Sequence, residues 1–92
     1  MVSKTKTVRV VYFANQDKGI TYRYEATCED NTPPVRINFT IEKDSLVIAR
    51  GYQDNQSGLY SLEVIRQVSG FERSVSQSVV DSDLIEIVEL LK

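Results

Sequence analysis

The sequence ITYRYEATC, from Ile20 to Cys28, alternates apolar and polar side chains without a break. Successive side chains of a β-strand point to opposite faces, so one face of this segment receives all of its apolar side chains: Ile20, Tyr22, Tyr24, Ala26 and Cys28. A strand with one apolar and one polar face is typical of an antiparallel sheet that is packed on one side and wet on the other. This segment therefore predicts an antiparallel sheet with one covered face.

Further strands are predicted on both sides of this segment. Residues 35–42 alternate in the same way, and four other segments are rich in β-branched and aromatic residues: 5–14, 46–52, 59–68 and 71–80. The breaks between them are too short for parallel crossovers, so consecutive segments are expected to be antiparallel neighbours. Segment 5–14 is apolar on both faces, which predicts a central strand or one covered by a second layer. Segment 59–68 lies between Gly58 and Gly70, and a short helix is the alternative to a strand there.

The C-terminal residues change to helical spacing. Asp83 and Glu86 have the spacing of a capping box, and the apolar residues around them repeat every three to four positions. A helix over the last ten residues would form a roof on the sheet. The sequence thus predicts one domain over residues 1–92, of the α+β class and mainly antiparallel β: a curled meander of about five to six strands packed against one C-terminal amphipathic helix.

This predicted helix has a wide apolar arc, with only Glu86, Glu89 and Lys92 on its polar strip. A helix that is apolar almost all round is usually buried on several sides, and one sheet face covers only one of them. Either a curled sheet wraps the helix or a partner chain covers it, and this excess of apolar surface motivates the hypothesis of a homodimer formed through the helix. Its interface is expected to contain Leu84, Ile85, Ile87, Val88 and Leu91.

The composition excludes several kinds of chemistry. The 92 residues include no histidine and one cysteine, Cys28, so a histidine-based triad, an internal disulfide and a thiolate zinc site are all ruled out. We expect no enzymatic activity, no metal and no cofactor. The formal net charge of -2 gives no general attraction for polyanions. The single cysteine, and the lack of a long apolar segment, favour a small soluble protein of the cytoplasm that does not enter a membrane.

By elimination, the sequence predicts a non-enzymatic protein-interaction or regulatory module, with itself and an unknown protein as partners. The alternative is a single-stranded nucleic-acid-binding protein that uses Arg9, Tyr22, Arg23 and Tyr24, because aromatic rings stack on bases and cations contact phosphates. A competing interpretation places Tyr22 and Tyr24 in the core with only their hydroxyls in water. A small-ligand pocket between sheet and helix is a third hypothesis, and it requires incomplete filling of the core.

Overall fold

A computed structural model of the chain describes residues 1–3, 5, 7–30 and 32–92. Its five strands and one helix follow each other along the chain: β1 (Val8–Asp17), β2 (Ile20–Glu29), β3 (Arg36–Lys43), β4 (Leu46–Asp54), β5 (Tyr60–Val64) and α1 (Arg73–Leu90). The strands form one open antiparallel sheet in the order β1-β2-β3-β4-β5. The predicted α+β fold, a meander with a C-terminal helix, is confirmed.

Two tight turns explain why consecutive strands pair. Lys18 and Gly19 join β1 to β2 with φ values of 51° and 78°, and Asp44 and Ser45 join β3 to β4 with φ values of 53° and 65°. Two successive residues of positive φ define the turn whose twist matches that of a two-stranded hairpin. These dipeptides therefore fix the register of both hairpins.

The core lies between one face of the sheet and α1. Tyr22, Phe39 and Leu84 belong to the same buried cluster, which confirms that alternate strand residues and the C-terminal helix share one core. Helix residues that pack against the sheet follow a spacing of three to four positions: Ser76, Val80, Leu84 and Ile87. The opposite face of the sheet carries no second layer among the described residues.

The predicted strand over residues 71–80 is wrong, because α1 already begins at Arg73. Ser74, Ser76 and Ser78 alternate with other residues and so fit a strand pattern as well as a helix. Glu72 is the N-terminal cap residue, with no side-chain hydrogen bond to the helix. The predicted capping box at Asp83 is therefore also wrong, since Asp83 lies inside the helix. The hairpin expected at Gly70 is a loop that leads into α1.

Two other segments differ from the sequence-based expectation. β1 is an edge strand and not a central one, and the side of β1 that bears Val8, Val10 and Tyr12 is exposed. Segment 59–68 forms a strand only over β5, so the predicted strand is correct for the first half of this segment. The N–H groups of Ile65 and Arg66 both donate to the Ile48 carbonyl, at 2.8 and 3.0 Å, and this bifurcation coincides with the end of the strand.

Candidate functional site

Tyrosine hydroxyls of the sheet hold α1 in place. The Tyr22 hydroxyl lies 3.0 Å from Ser76 Oγ, and the Tyr24 hydroxyl donates to Asp83 Oδ2 at 2.6 Å. Tyr60, on β5, lies near enough to Asp81 of the same helix for the carboxylate to raise its pKa. The contacts of Tyr22 and Tyr24 satisfy polar groups that would otherwise be costly to bury. These two contacts therefore fix how far α1 is shifted along the sheet.

Asp83 is the most heavily used acceptor in this interface. Asn15 Nδ2 lies 3.0 and 3.2 Å from its two carboxylate oxygens, in addition to the bond from Tyr24. Burial raises the pKa of Tyr24, and the hydrogen bond to Asp83 and its negative charge raise it further. The phenol therefore stays protonated and donates to the carboxylate. Asp83 thus joins β1, β2 and α1 through side chains alone.

The pKa values of Tyr22 and Tyr60 are also raised. Burial raises the pKa of Tyr22, and the hydrogen bond with Ser76 opposes that shift. Burial together with the charge and hydrogen bond of Asp81 raises the pKa of Tyr60 to about 12. All three phenols are neutral donors or acceptors at physiological pH.

A cleft of about 850 Å³ opens beside this interface, between the C-terminal half of α1 and the loop that joins β2 to β3. Its apolar surface comes from both sides of the gap: Pro34, Val35, Leu84, Ile85 and Val88. Ile85 is 68% exposed, so a large apolar side chain stands at the mouth of the cleft without cover. Gln53, Asn55 and Gln56 add amide groups from the end of β4 and the turn after it.

Among the described residues, every charged side chain that lines this cleft is acidic: Glu29, Asp30, Asp81 and Glu89. Asp30 Oδ1 accepts a hydrogen bond from the Thr7 N–H at 2.7 Å, and Lys92 Nζ donates to Glu89 Oε1 at 2.8 Å. Asp30 and Glu89 are both exposed to solvent. The cleft therefore combines an apolar floor with a negative rim.

Hydrogen bonds connect the two segments that form the far wall of the cleft. Asn55 Nδ2 donates to the Pro34 carbonyl at 2.6 Å, and the Asn55 N–H donates to the Val35 carbonyl at 2.9 Å. Asp54 Oδ1 accepts the N–H groups of Gln56 and Ser57 at 2.9 and 3.1 Å, and these bonds lower the pKa of Asp54. The loop after β2 is thus tied to the turn after β4.

The open face of the sheet has a different character. Arg23 pairs with Glu42, and Arg50 Nε lies 3.4 Å from Glu63 Oε2. The Arg36 guanidinium stacks 4.1 Å above the Tyr52 ring. Positive and negative groups therefore alternate, and the open face carries no strong field of one sign.

The residues predicted for nucleic-acid binding do not form one exposed surface. Tyr22 and Tyr24 are 1% and 2% exposed beneath α1, as the core interpretation of these residues predicts. Arg23 points to the open face, whereas Arg9 lies opposite Cys28 and so has the strand position of the covered face. In this arrangement the two tyrosine rings have no free surface for stacking on a base.

The residues predicted for a helix interface are also divided. Leu84 and Ile87 are each 3% exposed because they pack into the chain's own core. Val88 and Leu91 are half-buried, and Ile85 is exposed. The sheet explains this division, because it covers only the side of α1 that carries Leu84 and Ile87. The homodimer itself stays a prediction.

The comparisons with known proteins add no relative. No protein-family model matches the chain, and neither a curated protein nor a solved structure gives a significant match. No described helix is both long and apolar enough to cross a membrane. Over residues 1–3, 5, 7–30 and 32–92, no group of three or more acidic or cysteine side chains is placed to hold a metal ion.

Sequence reasoning missed the cleft because three separate segments form it. Its walls come from the end of β2 with the loop after it, from the end of β4 with the turn after it, and from α1. Pro33-Pro34 is the one local signal, since two prolines restrict the backbone of the loop that forms one wall. The third hypothesis, a pocket between sheet and helix, comes closest to this site, which lies between the helix and the loop after β2.

Proposed function

We propose that this chain is a non-enzymatic protein-interaction module whose cleft binds a partner protein through a segment that carries an apolar side chain flanked by lysine or arginine. The observation that carries the proposal is the combination of an apolar floor with a rim whose charges, over the residues that the structure describes, are all acidic. An exposed Ile85 at the mouth gives such a side chain a surface to cover. Charge complementarity then selects a basic partner over an acidic one.

The size of the cleft suits this occupant. A volume of about 850 Å³ falls within the range of roughly 300–1,000 Å³ that is usual for binding clefts. Burial of one leucine-sized side chain contributes roughly 1.5–3 kcal/mol to the binding free energy. Contacts with the rim are exposed, so they contribute less and weaken as salt is added. We therefore expect the apolar contact to supply most of the affinity and the acids to supply selectivity.

Several features of the chain support the rest of the proposal. The lack of histidine supports a binding role over a catalytic one. The lone and buried thiol of Cys28 supports a reducing, cytoplasmic setting. Nucleic-acid binding has weaker support, because the open face mixes arginines with glutamates and Tyr22 and Tyr24 are covered.

The test measures fluorescence anisotropy of a labelled decapeptide in which two leucines are flanked by lysines. Ile85→Ser is expected to weaken binding about tenfold, because roughly 1.4 kcal/mol of apolar contact is lost. Leu90→Ser is the matched control, since Leu90 is similarly exposed at 62% on the same helix but does not line the cleft. Glu89→Lys is expected to weaken binding at low salt and to have less effect at high salt.

Three results would contradict the proposal. Equal binding of a decapeptide with glutamate in place of lysine would show that the acidic rim does not select the partner. Equal losses in Ile85→Ser and Leu90→Ser would place the peptide elsewhere. If a labelled single-stranded oligonucleotide of mixed sequence binds more tightly than the basic decapeptide at low salt, the result would favour the nucleic-acid alternative.

A further inference from the structure

We propose that a second copy of this chain pairs with β1 in antiparallel orientation about a two-fold axis, so that one sheet continues across both protomers. β1 has a neighbour on one side only, β2. Its ten residues, VRVVYFANQD, contain no proline and no lysine, which are the residues that commonly protect an exposed sheet edge. The strand is therefore a free template for another strand.

The direction of the free backbone groups follows from the pairing with β2. The Asp30 N–H donates to the Thr7 carbonyl at 2.9 Å, so the backbone groups of Thr7 face β2. Strand residues alternate in the direction of these groups. The N–H and C=O groups that face outward are therefore those of Val8, Val10, Tyr12, Ala14 and Gln16. A second strand can pair with all of these positions without disturbing the contacts between β1 and β2.

Charge complementarity indicates a second copy as the occupant. β1 has one cation near its start, Arg9, and one anion at its end, Asp17. When two copies pair antiparallel with Phe13 on the axis, Arg9 of each copy lies opposite Asp17 of the other. No ion pair within the described residues engages either side chain. The same register places Tyr12 opposite Ala14 and Val10 opposite Gln16, which are all outward-facing residues.

This register also covers apolar surface at the edge of the molecule. Phe13, Ile87 and Leu90 line a groove of about 160 Å³ on the β1 side of α1. Leu90 is 62% exposed there. Two Phe13 residues that meet on the axis form a pair without backbone hydrogen bonds, in which side chains approach most closely. The pairing thus accounts for a strand that is apolar on both faces yet lies at an edge.

The test is the mass in solution, measured by size-exclusion chromatography with light scattering across a dilution series. We expect twice the monomer mass of 10.5 kDa at high concentration. Arg9→Asp or Asp17→Arg alone is expected to weaken the dimer roughly tenfold, because each change affects two symmetric contacts. The double variant Arg9→Asp with Asp17→Arg is expected to restore it. Arg66→Asp, the same change of charge in a loop away from β1, is the control.

Val10→Pro provides an independent test. Proline removes an N–H group that faces away from β2, so the dimer is expected to be lost. The pairing of β1 with β2 and the Tm of the monomer are expected to stay unchanged. A monomer at every concentration, or a double charge variant that stays as weak as the single ones, would overturn the proposal. Loss of the dimer in Ile85→Ser but not in Leu90→Ser would instead indicate an interface on the outer side of α1.

Binding to the cleft can succeed or fail independently of this dimer. The Val10→Pro monomer is expected to bind the basic decapeptide with unchanged affinity, because Val10 does not line the cleft. The two proposals therefore give separate outcomes in the same set of variants.

Discussion

Replacement of Tyr24 by phenylalanine measures how firmly the helix is held on the sheet. The hydroxyl donates to Asp83 at 2.6 Å, and a hydrogen bond to a charged group contributes roughly 1.5–3 kcal/mol to the free energy of unfolding. Asn15 still donates to Asp83 in the variant, so the carboxylate keeps a partner. We therefore expect Tyr24→Phe to cost about 2 kcal/mol, which lowers Tm by roughly 8–16 °C in a domain of this size.

Tyr22→Phe is the matched control for this measurement. Its hydroxyl contacts the neutral Ser76, which can form a hydrogen bond to the helix backbone instead, so we expect a cost of about 1 kcal/mol. Urea unfolding followed by far-UV circular dichroism gives both free energies. A cost of Tyr24→Phe no larger than that of Tyr22→Phe would refute the reasoning. A double-mutant cycle of Tyr24→Phe and Asp83→Asn that gives no coupling energy would also refute the reasoning.

The remaining predictions concern alkaline pH and one glycine. Since the pKa of Tyr60 is raised from 10.0 to about 12, the protonated phenol stabilises the fold fully below pH 10, and this contribution is lost as the pH rises from 10 to 12. The difference in unfolding free energy between wild type and Tyr60→Phe is therefore expected to shrink across that window, and a constant difference in urea titrations would contradict it. Gly51→Ala is expected to cost about 3 kcal/mol, because a Cβ there would lie 2.0 Å from the Ser61 carbonyl oxygen. In Gly58→Ala the added Cβ contacts no other atom, so the expected cost is only that of the φ of +77°, about 1–2 kcal/mol. Equal losses of Tm in the two variants would contradict the prediction that the close contact at Gly51 adds to the cost.

Strict alternation made the centre of the sheet predictable. In β2 and β3 every second residue is apolar, and these residues are the ones that α1 covers. The burial of Tyr22 and Tyr24 follows from the same alternation, so the sequence alone could predict that both side chains lie in the core. Element boundaries were less predictable at the C-terminus, where Ser76 is buried only because a tyrosine from another element supplies its hydrogen bond.

The cleft and the role of Asp83 could not be predicted, because both depend on segments distant in the chain. Asp83 has the sequence context of a helix cap, but 59 positions separate it from Tyr24 and 68 from Asn15. Apolar residues on both faces of β1 also have two explanations, a covered central strand or an edge strand with exposed apolar groups. Alternation alone does not separate them, since it reports side-chain character and not the number of neighbouring strands.

Each strand of the meander pairs with the strand that precedes it in the chain, whereas α1 is synthesised after all five strands. Pairings between nearby segments close small loops and therefore form early and quickly. During translation the hairpins can assemble on the ribosome while the face with Ile37, Phe39 and Ile41 is still bare. The interval before α1 emerges is thus the period in which this chain is most exposed to aggregation, and a slower passage through codons 73–90 would lengthen it.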